Sequence, residues 1–107
     1  IMVAHKREEQ LRNGFKDKKR LADIHEIPCS LSDLKGWTQT SKTIAHHKMG
    51  EGMGKKASDL LTMSLSDEFH TSGQYAIHHI GRVAWEKHFE TTEDELIEIT
   101  NKLLENL

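Results

Sequence analysis

The chain has 107 residues, of which 30% are charged and 36% hydrophobic, and its formal net charge is −2. This size fits one domain with a modest core and is too short for two. No apolar run approaches the roughly 18 residues that a membrane span needs, and the N-terminus lacks the pattern of a secretory signal. A single cysteine, Cys29, excludes an intrachain disulfide and is typical of a reducing cytoplasm.

Basic residues are concentrated in the first half of the chain. Residues 1–56 carry 12 Lys and Arg against 7 Asp and Glu, whereas residues 57–107 carry 3 against 10. A basic half is typical of contact with a polyanion such as nucleic acid, and an acidic half is equally typical of a solvated face.

The N-terminal stretch, residues 5–21, is polar and charged with only three apolar anchors, which predicts a helix or a loosely docked arm. A short apolar segment follows, and Pro28 marks a turn. We therefore divide the chain into a basic N-terminal arm or helix, residues 1–26, and a domain spanning residues 27–107.

Two short strands are predicted in the middle of the chain. The segment TIAHH, at residues 43–47, predicts a strand that ends at the doublet His46 and His47. Residues 59–66 alternate apolar and polar side chains, which predicts a second strand. The loop between them contains lysines and three glycines, so the two strands should form a long hairpin: the glycines are Gly50, Gly52 and Gly54.

Two helices are predicted after the hairpin. Residues 81–89 contain no helix breaker beyond the first position, and their candidate core residues are Val83, Ala84 and Phe89. Thr92 and Glu95 form a capping box for the last helix. Its apolar residues recur at helical spacing: Leu96, Ile99, Leu103 and Leu107.

The histidines are the residues best suited to chemistry. Four of the eight cluster around the hairpin and just beyond it, with His79 adjacent: His46, His47, His70 and His78. Neutral imidazole is the commonest protein ligand for a transition metal, and histidine is also a natural general base near neutral pH. Adjacent residues on a strand point to opposite faces, so one member of the doublet can bind a metal while the other faces a substrate. Any single histidine is more often an ordinary surface or core residue, and spacing alone does not decide which side chains converge.

Several features between Ile27 and Leu107 follow one another in a distinctive order: Cys29, the doublet His46 and His47, His70, His78, the pair Trp85 and Glu86, and the helix capped at Thr92. This order resembles phage and prophage nucleases of the recombination-enhancement (Ref) type. Those proteins are RecA-dependent members of the HNH, or ββα-metal, endonuclease superfamily. The basic N-terminal stretch lies outside the resemblance.

The resemblance implies an α+β fold. Its centre would be a small HNH-like ββα-metal core, a long hairpin plus a helix, with flanking helices and a capped amphipathic C-terminal helix. It implies a metal-dependent endonuclease that hydrolyses phosphodiester bonds of DNA, on DNA held in a RecA-type recombinase filament, in the cytoplasm of a bacterial host. One divalent cation, Mg²⁺ or Mn²⁺, would support activity, with Zn²⁺ as an alternative occupant, and no membrane partner is expected.

The resemblance also assigns roles to particular residues. The implied metal ligands are three histidines: His46, His70 and His78. His79 is the rival of His78 as a ligand. His47 would be the general base and Asp59 would orient it, although Asp59 is equally suited to a turn or strand start. Phosphates would be held by four basic residues, of which the loop lysines are otherwise merely solvated: Lys48, Lys55, Lys56 and Arg82.

One departure from the family concerns a second, structural zinc site. Many relatives have Cys-x-x-Cys before the first strand and Leu-Cys-x-x-His-His after the second. Here Cys29 is retained, but the other positions hold Ser32, Ser66 and Phe69. Because serine is a poor zinc ligand, we predict that no structural zinc binds and that Cys29 is a small buried hydrophobe. Packing by Phe69 would replace the zinc, and His70 would belong to the catalytic site.

Two other classes of function remain open from the sequence. The chain could be a non-catalytic nucleic-acid-binding module with a structural metal site, or a protein-interaction domain that uses the acidic face of its last helix. A stabilising site would hold zinc with full coordination, whereas a catalytic one keeps a position open. Trp37 and Trp85 are typical of core or interface aromatics, and an exposed Trp37 would be able to stack on a base.

Overall fold

The structure, a computed structural model, describes residues 10–12, 14–49 and 57–107. Its regular elements, in chain order, are α1 (Lys18–Ile24), α2 (Ser30–Lys35), β1 (Thr43–His47), β2 (Thr62–Ser66), a π-helical segment (Glu68–Ser72), α3 (Ile77–Ile80), α4 (Arg82–Phe89) and α5 (Glu93–Glu105). The predicted α+β class is confirmed. Within these ranges no helix has both the length and the apolar character needed to cross a bilayer.

The two predicted strands pair as an antiparallel hairpin. In the register of β1 and β2, His46 lies opposite Met63 and His47 lies opposite Thr62. Every residue of β2 is buried, because α5 and α2 pack against it. The polar residues of the strand therefore need partners: the Ser64 amide donates to Thr100 Oγ1 at 2.9 Å.

The core lies where β2, α4 and α5 meet. It contains nine buried residues: Cys29, Leu31, Met63, Leu65, Ile77, Trp85, Phe89, Leu96 and Ile97. The prediction that Val83 and Ala84 face the core is wrong, since Val83 is 70% exposed and Ala84 is exposed as well. Phe89 is buried as predicted, and Trp85 is buried with it because residues four apart share one face of a helix.

The last helix begins as predicted. Thr92 Oγ1 accepts the amide N–H of Glu95 at 3.1 Å, which is the capping contact. The Glu95 carboxylate bonds to Thr91 Oγ1. The predicted apolar repeat weakens toward the C-terminus: Leu96 is buried, Ile99 and Leu103 are half-buried, and Leu107 is exposed.

Cys29 caps a short helix that the sequence did not predict. Its side chain is fully buried, as expected, and its sulfur accepts the amide N–H of Ser32 at 3.5 Å at the start of α2. Phe69 packs against Trp37 and Phe89, with ring centroids 5.9 and 5.4 Å apart. The prediction that no structural zinc binds awaits a metal analysis, and two tightly held zinc ions per chain would overturn it.

Helix α1, in the N-terminal stretch, is held on the hairpin by Arg20. The guanidinium Nε and Nη2 donate to the side-chain and carbonyl oxygens of Thr62, both at 2.8 Å. Nη1 donates to Asn101 Oδ1, also at 2.8 Å. One side chain thus joins α1, β2 and α5 at Thr62, the residue opposite His47.

Replacing Arg20 with alanine should therefore destabilise the fold. The substitution removes three hydrogen bonds from a charged donor, so we expect the free energy of unfolding to fall by about 2 kcal/mol. Urea unfolding at neutral pH measures the change. Lys19→Ala is the matched control, because the Lys19 side chain is 85% exposed in its pair with Asp23, and it should unfold at nearly the same urea concentration as the parent. Equal losses in the two variants would contradict this role of Arg20.

Candidate metal centre and adjacent histidine–aspartate pair

Three of the predicted ligands converge in the structure. His46 comes from the end of β1, His70 from the π-helical segment and His78 from α3. One ligand atom from each ring lies within 4.8 Å of the others, and the Nε2 atoms of His70 and His78 are 3.0 Å apart. We call these residues the histidine cluster. It is the one group of three or more such ligands found among the described residues.

The histidine cluster also has the protonation state that metal binding requires. Burial, followed by the nearby His46 and His78, lowers the pKa of His70 to about 4. Burial first, then His46 and His79, also lowers the pKa of His78. Both rings are therefore neutral at pH 7 and have a lone pair for a metal.

The neighbouring rivals, His78 and His79, differ in their placement. His78 belongs to the cluster, whereas His79 does not share in it. The geometry thus favours His78 as the ligand. The spacing is also close to what a metal needs, since nitrogens bound at 2.0–2.1 Å in tetrahedral geometry lie about 3.3 Å apart.

Glu93 is a site residue that the sequence did not indicate. Its Oε2 lies 3.0 Å from His46 Nε2, and the two residues are 1% and 2% exposed. Both carboxylate oxygens also accept the amide N–H of Met49, at 3.1 and 3.2 Å. An acidic residue just after a helix cap is common because it complements the helix dipole, so nothing local distinguishes Glu93 from an ordinary first-turn residue.

His47 is not part of the histidine cluster and bonds to Asp59. The distance from His47 Nε2 to Asp59 Oδ1 is 2.7 Å, and Asp59 is only 3% exposed. Asp59 Oδ2 accepts the amide N–H of Asp17 at 2.8 Å. Burial favours the neutral acid, but the hydrogen bonds from His47 and the Asp17 amide outweigh it, and the pKa of Asp59 is lowered. A carboxylate only accepts hydrogen bonds, so His47 donates from Nε2 and has its lone pair on Nδ1.

Two of the four predicted phosphate-binding residues line a cleft together with Glu93, the residue that contacts His46. Lys48 and Arg82 line one polar cleft of about 300 Å³, which Glu93 lines as well. Each is paired with a carboxylate: Lys48 with Asp94 and Arg82 with Glu86, both at 3.0 Å. A phosphate in the cleft would have to share these cations. The other two predicted residues lie outside the described residues: Lys55 and Lys56.

Metal binding to the histidine cluster should raise the melting temperature of the protein. At 100 times the dissociation constant, a bound ion stabilises the folded state by about 2.7 kcal/mol. Differential scanning fluorimetry with Zn²⁺, Co²⁺ and Mn²⁺ measures the shift. His78→Ala should remove it, and the matched variant His79→Ala should retain it. The same shift in both variants would rule out His78 as a ligand.

Asp59 should contribute stability that depends on pH with a definite sign. Because the folded-state pKa lies below the unfolded value of about 3.9, the ionised carboxylate stabilises the fold above that pH. The contribution is lost as the pH falls through the folded-state pKa. The difference in unfolding free energy between the parent and Asp59→Asn should therefore be largest at pH 5–7 and shrink toward pH 3. Chemical unfolding across this range, with a chelator present, measures it. A difference that grew on acidification would contradict the pairing.

Comparisons with known proteins assign no function to this arrangement of residues. No protein-family model, no curated protein and no solved structure matches this chain. Function must therefore be argued from the resemblance in residue order and from the placement of the histidines and carboxylates.

Proposed function

We propose that the chain is a metal-dependent endonuclease of the HNH type, which hydrolyses phosphodiester bonds of DNA. One observation carries the proposal: the two consecutive histidines at the end of β1 contact two different sets of side chains. His46 joins the histidine cluster, while His47 bonds to the buried Asp59. A metal-assisted hydrolase needs both a cation site and a separate base beside it.

The three rings of the histidine cluster would hold one divalent cation. Three protein ligands leave at least one coordination position open, which is the arrangement of catalytic rather than structural metal sites. When bound, the cation would neutralise the scissile phosphate and stabilise the leaving 3′ oxygen. The low pKa of His70 supports this role, because the ring stays available to a metal through the neutral range.

His47 would act as the general base. Its Nδ1 accepts a proton from the water whose oxygen attacks phosphorus, and the bond from phosphorus to the 3′ oxygen breaks. Asp59 keeps the ring in the tautomer that this transfer requires and stabilises the imidazolium that forms. His47 is suited to contact with solvent and substrate, since 21% of its side chain is exposed.

Contacts to the nucleic acid would come from the cleft beside the cluster and from an exposed aromatic residue. Lys48 and Arg82 line the cleft, where a phosphate would compete with their carboxylate partners. Trp37 is 47% exposed, which meets the condition for stacking on a base. DNA as the substrate and a RecA-type filament as the partner come from the family resemblance.

Replacing His47 with alanine tests the proposed reaction. Loss of a general base should lower the rate of DNA cleavage by about 10²–10⁴-fold. The measurement is cleavage of single-stranded and supercoiled DNA in Mg²⁺ or Mn²⁺, with and without a recombinase filament. His88→Ala is the matched control, because His88 is exposed and stacks on Tyr75 away from the described cluster.

Two results would contradict the proposal in different ways. Cleavage by His47→Ala at the parental rate would show that His47 is not the base. A parent protein that binds DNA but cuts none of the substrates would favour the non-catalytic binding module, with the histidine cluster as a structural metal site. In either case, the salt dependence of DNA affinity separates phosphate contacts from apolar ones.

A further inference from the structure

We infer that Glu93 is the positioning residue that sets the orientation and tautomer of the metal ligand His46. The inference rests on the proposed metal-binding function. Its observation is the 3.0 Å contact between Glu93 Oε2 and His46 Nε2, in which both residues are almost completely buried. A carboxylate bonded to the far nitrogen of a ligating imidazole is a recurrent device of metal sites.

The contact determines which ring nitrogen of His46 is available. Both oxygens of Glu93 already accept the N–H of Met49, so the carboxylate acts as an acceptor. His46 Nε2 must then carry the hydrogen that it donates to Glu93. The lone pair consequently lies on Nδ1, and that atom is the one able to bind a cation.

Glu93 lies outside the set of ligand atoms. Among the described residues, the group of ligand atoms within 4.8 Å of one another contains the three histidines and not Glu93. Glu93 therefore acts on a metal through His46 and not as a ligand in its own right.

Glu93 is itself held at both ends. Its amide N–H donates to Glu86 Oε2 at 2.7 Å, and Arg82 holds the other oxygen of Glu86 at 3.0 Å. Its carboxylate accepts the amide N–H of Met49, just beyond β1. Helix α4, the start of α5 and the end of β1 are thus joined through one buried residue, whose backbone contacts α4 and whose carboxylate contacts the end of β1. A site residue supported in this way loses little entropy when it orients its partner.

Glu93→Gln is the direct test, with Asp94→Asn as the matched control. Both substitutions remove one negative charge from the same cleft and change size little, but only Glu93 contacts His46. The dissociation constant for Co²⁺, followed by its visible absorption with chelator competition, should rise 10–100-fold in Glu93→Gln. It should change less than about threefold in Asp94→Asn. Urea unfolding of both metal-free variants checks that they remain folded.

The tautomer of His46 gives a second readout that a purely structural role would not move. In the metal-free parent, nitrogen-15 NMR of the imidazole should show the hydrogen on Nε2. Glu93→Gln offers both a donor and an acceptor, so the Nε2–H form should lose its predominance.

Three outcomes would overturn the inference. The first is an equal loss of Co²⁺ affinity in Glu93→Gln and Asp94→Asn. The second is a loss in Glu93→Gln as large as that in His70→Ala, since this would make Glu93 a ligand. The third is an unchanged tautomer. Failure of the proposed function looks different: the parent and His70→Ala would bind Co²⁺ equally weakly, while the tautomer of His46 still responded to Glu93→Gln.

Discussion

Side chains alternate across a β-strand, and the candidate site depends on this constraint at the end of β1. The alternation sends His46 toward the histidine cluster and His47 toward Asp59. A slip of one residue in strand pairing would exchange the two rings, so the register has to be fixed. Arg20 holds Thr62 opposite His47, and Thr100 holds Ser64 one pair of residues beyond His46. Arg20 belongs to α1 and Thr100 to α5. The placement of His46 and His47 in different environments therefore depends on how these two helices pack on β2.

Buried polar contacts help to organise this small domain. A chain of 107 residues buries a modest core, and here β2 is covered on both faces although it contains three hydroxyl side chains. Each such group would be costly without a partner. Ser30 Oγ donates to the Ser64 carbonyl at 2.6 Å, and Thr62 Oγ1 donates to the Asp59 carbonyl at 2.7 Å. Such directional contacts favour one arrangement of the strands, whereas apolar packing tolerates several.

The sequence predicted the parts of the fold that local patterns encode. Strand β1, the C-terminal end of β2, the helix of Trp85 and the Thr92 cap follow from period and capping chemistry, and the structure confirms them. Strand β2 begins at Thr62, three residues later than predicted. Local patterns did not predict the features that tertiary packing determines. Trp85 was expected in the core or an interface, but on an eight-residue helix period alone did not show that Val83 faces solvent. Glu93 lies 47 residues from His46 in the chain, and only tertiary packing brings them together.

The two histidines of the doublet have matching supports although they face different ways. Each donates from Nε2 to a carboxylate that is almost completely buried, Glu93 for His46 and Asp59 for His47. Each carboxylate also accepts a backbone amide from another segment, Met49 in one case and Asp17 in the other. Both rings therefore have their lone pair on Nδ1, the nitrogen nearer the backbone, where the strand fixes its direction most tightly. An uncommitted surface doublet would gain nothing from two buried carboxylates, since each costs desolvation energy that only a partner offsets. These matched supports agree with the proposed roles, in which His46 would hold a cation and His47 would take a proton.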